Sequence, residues 1–455
     1  MRRASLLVLI FLLLAACSPA QPGRQITVIT HPDGPLYVGD QVSFEILSPQ
    51  GEQGGSGSVS VTFDGRKLGQ AGFAPYGIGG RSQATLWWAW DTHNLKPGSY
   101  SLTFTLMPGN VTETESFRLH PADQVPLPEP GAGWTSTTTV CCVLHYITGT
   151  AAARDIASIS QVVDEESAAV SAQIGSKLKG RIDVVFMSRV IGQGGFTSDS
   201  VYVSYLDDNY IGNDTAILFH HEFVHYYDAQ QGGVYLPSIF QEGLAVYLSG
   251  GHFKPEPLFP RAAAMLDMGM YIPLTTLTND FYNQQHDTGY LEAGSLVEYM
   301  VETYGWGGFN DFYRNIPQPD SGQTTAMVLD AALHDHFGIS FAELEKAFLA
   351  FLHSEKYTQA ELTDLQVTVS FYDTVRRYQQ TLDPSAYFLT AWLPNGLDMR
   401  QRGIVADFLR RPRNWDNQGI ETLLIRAHDQ YFGTDYSAAE ATLKLTNLIL
   451  HVIAP

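Results

Sequence analysis

The stretch FHHEFVHYYDAQQGG, Phe219 to Gly233, holds three histidines, a glutamate and an aspartate, in a chain with only 14 histidines among 455 residues. Within it, His221-Glu222-Phe223-Val224-His225 has the form H-E-x-x-H. On a helix, positions i and i+4 share one face about one turn apart. Two imidazoles at that spacing can grip a single metal ion. Ile217 lies one turn before His221 on the same stripe, so histidine replaces aliphatic residues on an inward face. Such burial is costly unless the rings are satisfied, as a metal would satisfy them. Glu222 falls beside the ion rather than pointing at it, where a base for an attacking water belongs. His220 projects about 100° from this face and is read as a non-ligand, as is His252.

A third ligand is expected at Glu242, in LPSIFQEGLAVYLSGG. Gly232-Gly233 and Pro237 turn the chain, and a second helix begins near Ser238, a good N-cap. Glu242 falls about one turn in, so an antiparallel helix can aim its carboxylate at the same ion. Gly243 beside it would let the two helices approach closely. Two histidines and one glutamate leave the fourth tetrahedral position open, the pattern of a catalytic rather than a structural zinc site.

These segments must be positioned by the elements around them. CCVLHYI reads as a strand, and ARDIASISQVVDEESAAVSAQIG as a helix with Ile156, Ile159, Val163, Val170 and Ile174 on one face and Gly175 as its stop. RIDVVFMS and VYVSYLD are further strands, Asp214 to Gln231 is helical, and helices dominate to about residue 355. The middle region, 139–355, is therefore α+β. Before it, residues 25–120 alternate with period two: Val42, Phe44, Ile46; Val59, Val61, Phe63; Tyr100, Leu102, Phe104, Leu106. About six short strands separated by turn signals predict an all-β sandwich, similar to immunoglobulin-like bacterial surface domains but without their cysteine pair. At least two rings of Trp87, Trp88 and Trp90 are expected in its core. Residues 121–138 are a Pro-rich linker. Residues 356–455 are helical in pattern and carry no chemical motif.

HEFVH followed by FQEGLAVY resembles the gluzincin metallopeptidases, in particular the peptidase MA-like family, over roughly residues 139 to 355. The strand-helix-strand from Cys141 to Met187, GYLEAGSLVEYMVETYGWGGF and LHDHFGISFAELEKAF add to the likeness. The resemblance implies a zincin-type domain, one Zn²⁺ ion held by His221, His225 and Glu242, Glu222 as general base, and a peptide or protein substrate. It implies an oxyanion donor from a later helix, for which Tyr290 is the candidate, with Tyr226, Tyr227 and Tyr299 as competitors. It also implies that the strand VYVSYLD receives the substrate as an added strand, with the loop from Gly192 to Gly195 bordering the cleft. Many gluzincins carry a carboxylate one turn after the ligand glutamate. That position is Val246 here, so bracing of the ligands must come from elsewhere, such as Asp228 or backbone carbonyls.

Composition bounds the rest. The chain is 44% apolar and 16% charged, with a formal net charge of -20. That excess repels nucleic acid and anionic lipid heads. MRRAS precedes eleven apolar residues, Leu6 to Ala16, too few for the roughly 20 needed to span a bilayer. This has the form of an export signal. Leu14-Ala15-Ala16-Cys17 resembles the lipobox of bacterial lipoproteins, so 1–17 reads as a signal with Cys17 lipidated, exporting the protein to the outside of a bacterial membrane. Cys141 and Cys142 are expected to be two buried thiols on a strand. The competing functional reading is a catalytically inert surface adhesin or assembly factor that retains a structural zinc site.

Overall fold

In the computed structural model, residues 26–47, 57–188, 194–207, 209–212 and 214–453 are described. The Leu6–Ala16 run and Cys17 lie outside the described residues. So do Gly192 and Gln193 of the loop expected to border the cleft. Among the described residues, no helix is long and apolar enough to cross a membrane.

Among the described residues the N-terminal part holds nine strands, β1 (Thr27–His31) to β9 (Val111–His120), where the alternation predicted about six. The extra ones are short, such as Leu36–Tyr37 and Ala74–Tyr76, and show no period of their own. They form a four-stranded sheet, in the order β1, β3 (Gln41–Leu47), β7 (Arg81–Asp91), β6 (Ala74–Tyr76), and a five-stranded one, in the order β2 (Leu36–Tyr37), β9, β8 (Gly98–Met107), β4 (Ser58–Phe63), β5 (Arg66–Gly72). Phe44 of β3 (Gln41–Leu47) meets Phe104 of β8 (Gly98–Met107) across the two sheets at 5.4 Å, and Val42, Ile46, Val59, Val61 and Leu102 fill the space around them. The tryptophans of β7 (Arg81–Asp91) have three fates. Trp90 is in this core. Trp88, at a positive φ of 45°, is buried against Phe388, Ile404 and Phe408 of the C-terminal region. Trp87 is 38% exposed.

The middle region is built on a five-stranded sheet in the order β10-β11-β12-β14-β13. Its edge strand β10 (Trp134–Thr138) comes from the last residues of the expected linker, which pair antiparallel with β11 (Cys142–Ile147). Strands β11, β12 (Ile182–Met187) and β14 (Val201–Ser204) run parallel, and β13 (Gly195–Thr197) closes the far edge antiparallel to β14. Between β11 and β12 runs α1 (Ala151–Ile174). It buries Ile159, Val163, Val170 and Ile174 on one stripe and ends at Gly175 in the left-handed conformation. Cys141 and Cys142 are joined by a disulfide rather than being two thiols. Cys141 lies in a bend just before β11, its N–H held by Asp164. It therefore escapes the alternation that sends consecutive strand side chains to opposite faces.

Helix α2 (Thr215–Gln231) is capped by the Asp214 carboxylate, which accepts from the N–H groups of Ala216 and Ile217. Phe219, Phe223 and Tyr227 seat it on the core, where Phe219 contacts Phe186 of β12. Helix α3 (Ser238–Ser249) follows. Ser238 is its first helical residue rather than its cap, because the Pro237 carbonyl already accepts from Phe240 and Gln241. After α4 (Leu258–Asp267) and α5 (Leu274–Asn279), the long α6 (His286–Arg314), broken at Gly305 (φ 75°), packs along α3. A Cβ on Gly243 would stand 2.5 Å from the Ala293 carbonyl, so the close approach that Gly243 permits is with α6 and not with α2.

The C-terminal helices do not form a separate body. Beyond α7 (Thr325–Phe337) and α8 (Phe341–Leu352), Leu365 and Val369 of α9 (Gln359–Leu382) join the core of the middle region, and Phe371, Tyr372 and Val375 enclose Tyr210 and Phe253 from it.

Candidate metal centre and cleft

His221 and His225 sit one turn apart on α2, and Glu242 stands one turn into α3. Their ligand atoms converge. His221 Nε2 and His225 Nε2 are 3.1 Å apart, and each faces Glu242 Oε2, at 3.3 and 3.1 Å. These are the His/Cys/Asp/Glu atoms that group around one point among the described residues. Donors at about 2.0–2.1 Å from a tetrahedral zinc would be about 3.3 Å from one another, so the triangle has the size of one face of such a site. Its chemistry also fits: if both Nε2 atoms carry hydrogens for the Glu242 carboxylate, those two N–H groups face each other across 3.1 Å, whereas one cation satisfies all three atoms. Burial depresses the basicity of His221. For His225 burial acts the same way, but the Glu242 charge prevails and lifts its pKa to about 9. Burial opposes ionisation of Glu242, yet the His225 charge and both imidazole hydrogen bonds hold its carboxyl well below the ordinary range.

The bracing of this trio differs from the expectation. Asp228 is taken up by Arg314 and by the Tyr313 hydroxyl, so it does not reach the histidines. The Nδ1 atoms of His221 and His225 are buried without a partner among the described residues. The brace falls instead on Glu242, whose Oε1 accepts the Tyr282 hydroxyl at 2.7 Å. Tyr282 gives no sign in the sequence, since it lies in a single helical turn, Phe281–Asn283, outside any motif.

Glu222 is buried, lies outside the converging trio and is bonded to the sheet edge. Thr197 of β13 donates its hydroxyl to Glu222 Oε2 (2.8 Å) and to the Glu222 carbonyl (3.0 Å). A Cβ on Gly195 would lie 3.0 Å from Glu222 Oε1, so glycine is what lets the strand pass this close. Burial pushes the Glu222 carboxyl up, against the opposing charges of His221 and His225. The strand beside the motif helix is thus β13. VYVSYLD, expected at that place, is interior β14, flanked on both sides.

No protein-family model matches the chain, and no curated protein matches it. Among solved structures, a mutant of the M1 zinc metallopeptidase from Deinococcus radiodurans is similar at 12% identity, over 70% of this chain and 90% of that one, with a TM-score of 0.31. The geometry of the site, not this likeness, carries the functional reading.

The trio and Glu222 open into a cleft of about 470 Å³. Gly194 to Ser198 form one wall, Tyr282 and Tyr290 another, and Ile78, Arg376, Phe388 and Leu393 come from the two ends of the chain. Of the four tyrosines considered from sequence, Tyr290 lines this cleft. It is stacked on His252 at 4.1 Å, with its ring 6.2 Å from that of His221. Tyr227 is spent on Ser167, and Tyr299 packs on Phe348 and Phe351. His220 faces α1, bonded to Glu166 and Gln173.

Proposed function

We propose that the protein is a zinc-dependent peptidase, exported and held by a lipid on Cys17 at the outside of a bacterial membrane. The observation that carries the catalytic part is the convergence of His221 Nε2, His225 Nε2 and Glu242 Oε2 within 3.1–3.3 Å of one another, with a fourth buried group, Glu222, lining the same cleft but outside the trio. The pattern of Leu6 to Cys17 supports the location.

His221, His225 and Glu242 would hold the ion, with Tyr282 fixing the carboxylate. Bound there, zinc would polarise a carbonyl and lower the pKa of water to about 7. Glu222 takes a proton from the attacking water and returns it to the leaving amine. Thr197 holds the Glu222 carboxylate in one orientation at the lining of the cleft. A peptide lying along β13 as an added strand would pair its main chain with the edge that Gly194 to Ser198 present to the cleft. Tyr290 is the donor for the oxyanion. Burial, with the nearby Glu242 charge, raises its pKa well above the ordinary value, so the hydroxyl keeps its proton.

The test is to express residues 25 to 455, measure bound metal, and assay casein cleavage with and without chelator and with Glu222→Gln. Cleavage untouched by both treatments would defeat the mechanism.

A further inference from the structure

Arg376, on α9, lines the cleft beside Tyr290 and Phe388. Its guanidinium lies over the Phe388 ring at 5.3 Å, and Nη1 donates to Gln379 Oε1 at 2.9 Å. Nε is buried and has no partner among the described residues. Three other inward arginines are neutralised by the chain itself: Arg261 by Glu256 and Asp364, Arg314 by Asp228, Arg410 by Asp40 and Glu129. Among the described residues, Arg376 forms no ion pair with a carboxylate. This occurs in a chain with 47 acidic residues against 27 basic ones. The cleft's own carboxylates are committed elsewhere, Glu242 to the two imidazoles and Tyr282, Glu222 to Thr197.

A guanidinium stays charged in proteins, and burying it without an anion is costly. Its planar fork matches a carboxylate with two parallel hydrogen bonds. The Phe388 ring and the Gln379 amide hold the group in place while leaving that fork without an acid of its own. We propose that Arg376 is a specificity residue that binds a carboxylate of the peptide substrate, either its free C-terminus or an Asp or Glu side chain near the cleaved bond. The proposal rests on the peptidase reading of the same cleft.

Three peptides of one sequence test it: one with a free C-terminal carboxylate, one with a C-terminal amide, and the amide carrying a single Glu flanking the cleaved bond. Their affinities are measured by calorimetry on the zinc-loaded Glu222→Gln protein, and their kcat/KM on the wild type. At least one carboxylate-bearing form should exceed the plain amide by about tenfold or more, mostly in KM. Which form gains names the source of the carboxylate. In Arg376→Gln the ratio should fall to about one, and in Arg376→Lys to an intermediate value. Equal affinity of the wild-type cleft for all three peptides, a comparison that needs no Arg376 variant, would overturn the proposal. So would a preference that survives Arg376→Gln. Because the calorimetry needs no turnover, a carboxylate preference in a protein that cleaves nothing would sink the peptidase reading and leave the assignment of Arg376 standing. Cleavage without the preference would do the reverse.

Discussion

The Thr197 hydroxyl reaches across from strand β13 to the Glu222 carboxylate at 2.8 Å, tying the edge of the sheet to the helix that carries both histidines. This contact sets which way the base faces. Thr197→Val keeps the shape and removes the donor. It should lower kcat by about tenfold while bound metal stays at the wild-type level, since Glu222 is not a ligand. Metal analysis alongside steady-state kinetics checks both halves.

Tyr282 holds the other oxygen of the Glu242 carboxylate. Tyr282→Phe should therefore weaken zinc about 10- to 100-fold, read by competition with a chelator of known affinity. Removing the ion should lower the melting temperature, because it binds only the folded arrangement of three distant residues. Equal melting curves with and without chelator would argue against a bound ion.

Stability should fall as pH rises from about 4 to about 7. Burial pushes Glu256 and Asp287 up to about 7, helped in Glu256 by the Asp287 charge and opposed in both by Arg261 and Lys254. Native protein then binds these protons more tightly than the unfolded chain, whose carboxyls titrate near 4. The stabilisation is full below that value and is lost as pH climbs to the folded one. Urea midpoints at pH 5.5 and 8 should show the drop, and Asp287→Asn should shrink it.

Gly243→Ala would place a methyl 2.5 Å from the Ala293 carbonyl, where only backbone can yield. A cost of about 1–3 kcal/mol is expected from such overpacking. Urea denaturation measures it. Since Gly243 adjoins Glu242, metal affinity should drop as well.

Arg410 joins the two ends of the chain, paired with Asp40 at 2.7 Å and Glu129 at 2.6 Å and stacked over Tyr37. Arg410→Ala leaves buried Asp40 and half-buried Glu129 uncompensated, a loss of about 3–5 kcal/mol. Limited proteolysis should then cut between the β-rich part and the helices, where the wild type resists.

The convergence of His221, His225 and Glu242 was legible because helical periodicity favours it: a spacing of four residues leaves His221 and His225 no choice but one face, and Glu242 sits a turn into the next helix. Tyr282, Thr197 and Arg376 were not legible. Each reaches the cleft through a long-range contact made by a short or featureless segment, and no local period announces that. The edge strand was misplaced for the same reason. Gly195–Thr197 is three residues long, while VYVSYLD has the stronger β pattern and so looked like the strand beside the motif. The Cys141–Cys142 pair shows a different limit, since adjacency says nothing about oxidation state.

Ile78 from the first hundred residues and Phe388 from the last hundred meet over the same hollow. A fragment trimmed to 139–355 would keep His221, His225, Glu242 and Tyr282, yet it would lack two sides of that hollow. The shape of the hollow, unlike the convergence of the trio, is thus set by the whole polypeptide. On the proposed peptidase reading, exchanging the outer regions while keeping the His-Glu core would change what is cut before cutting is lost.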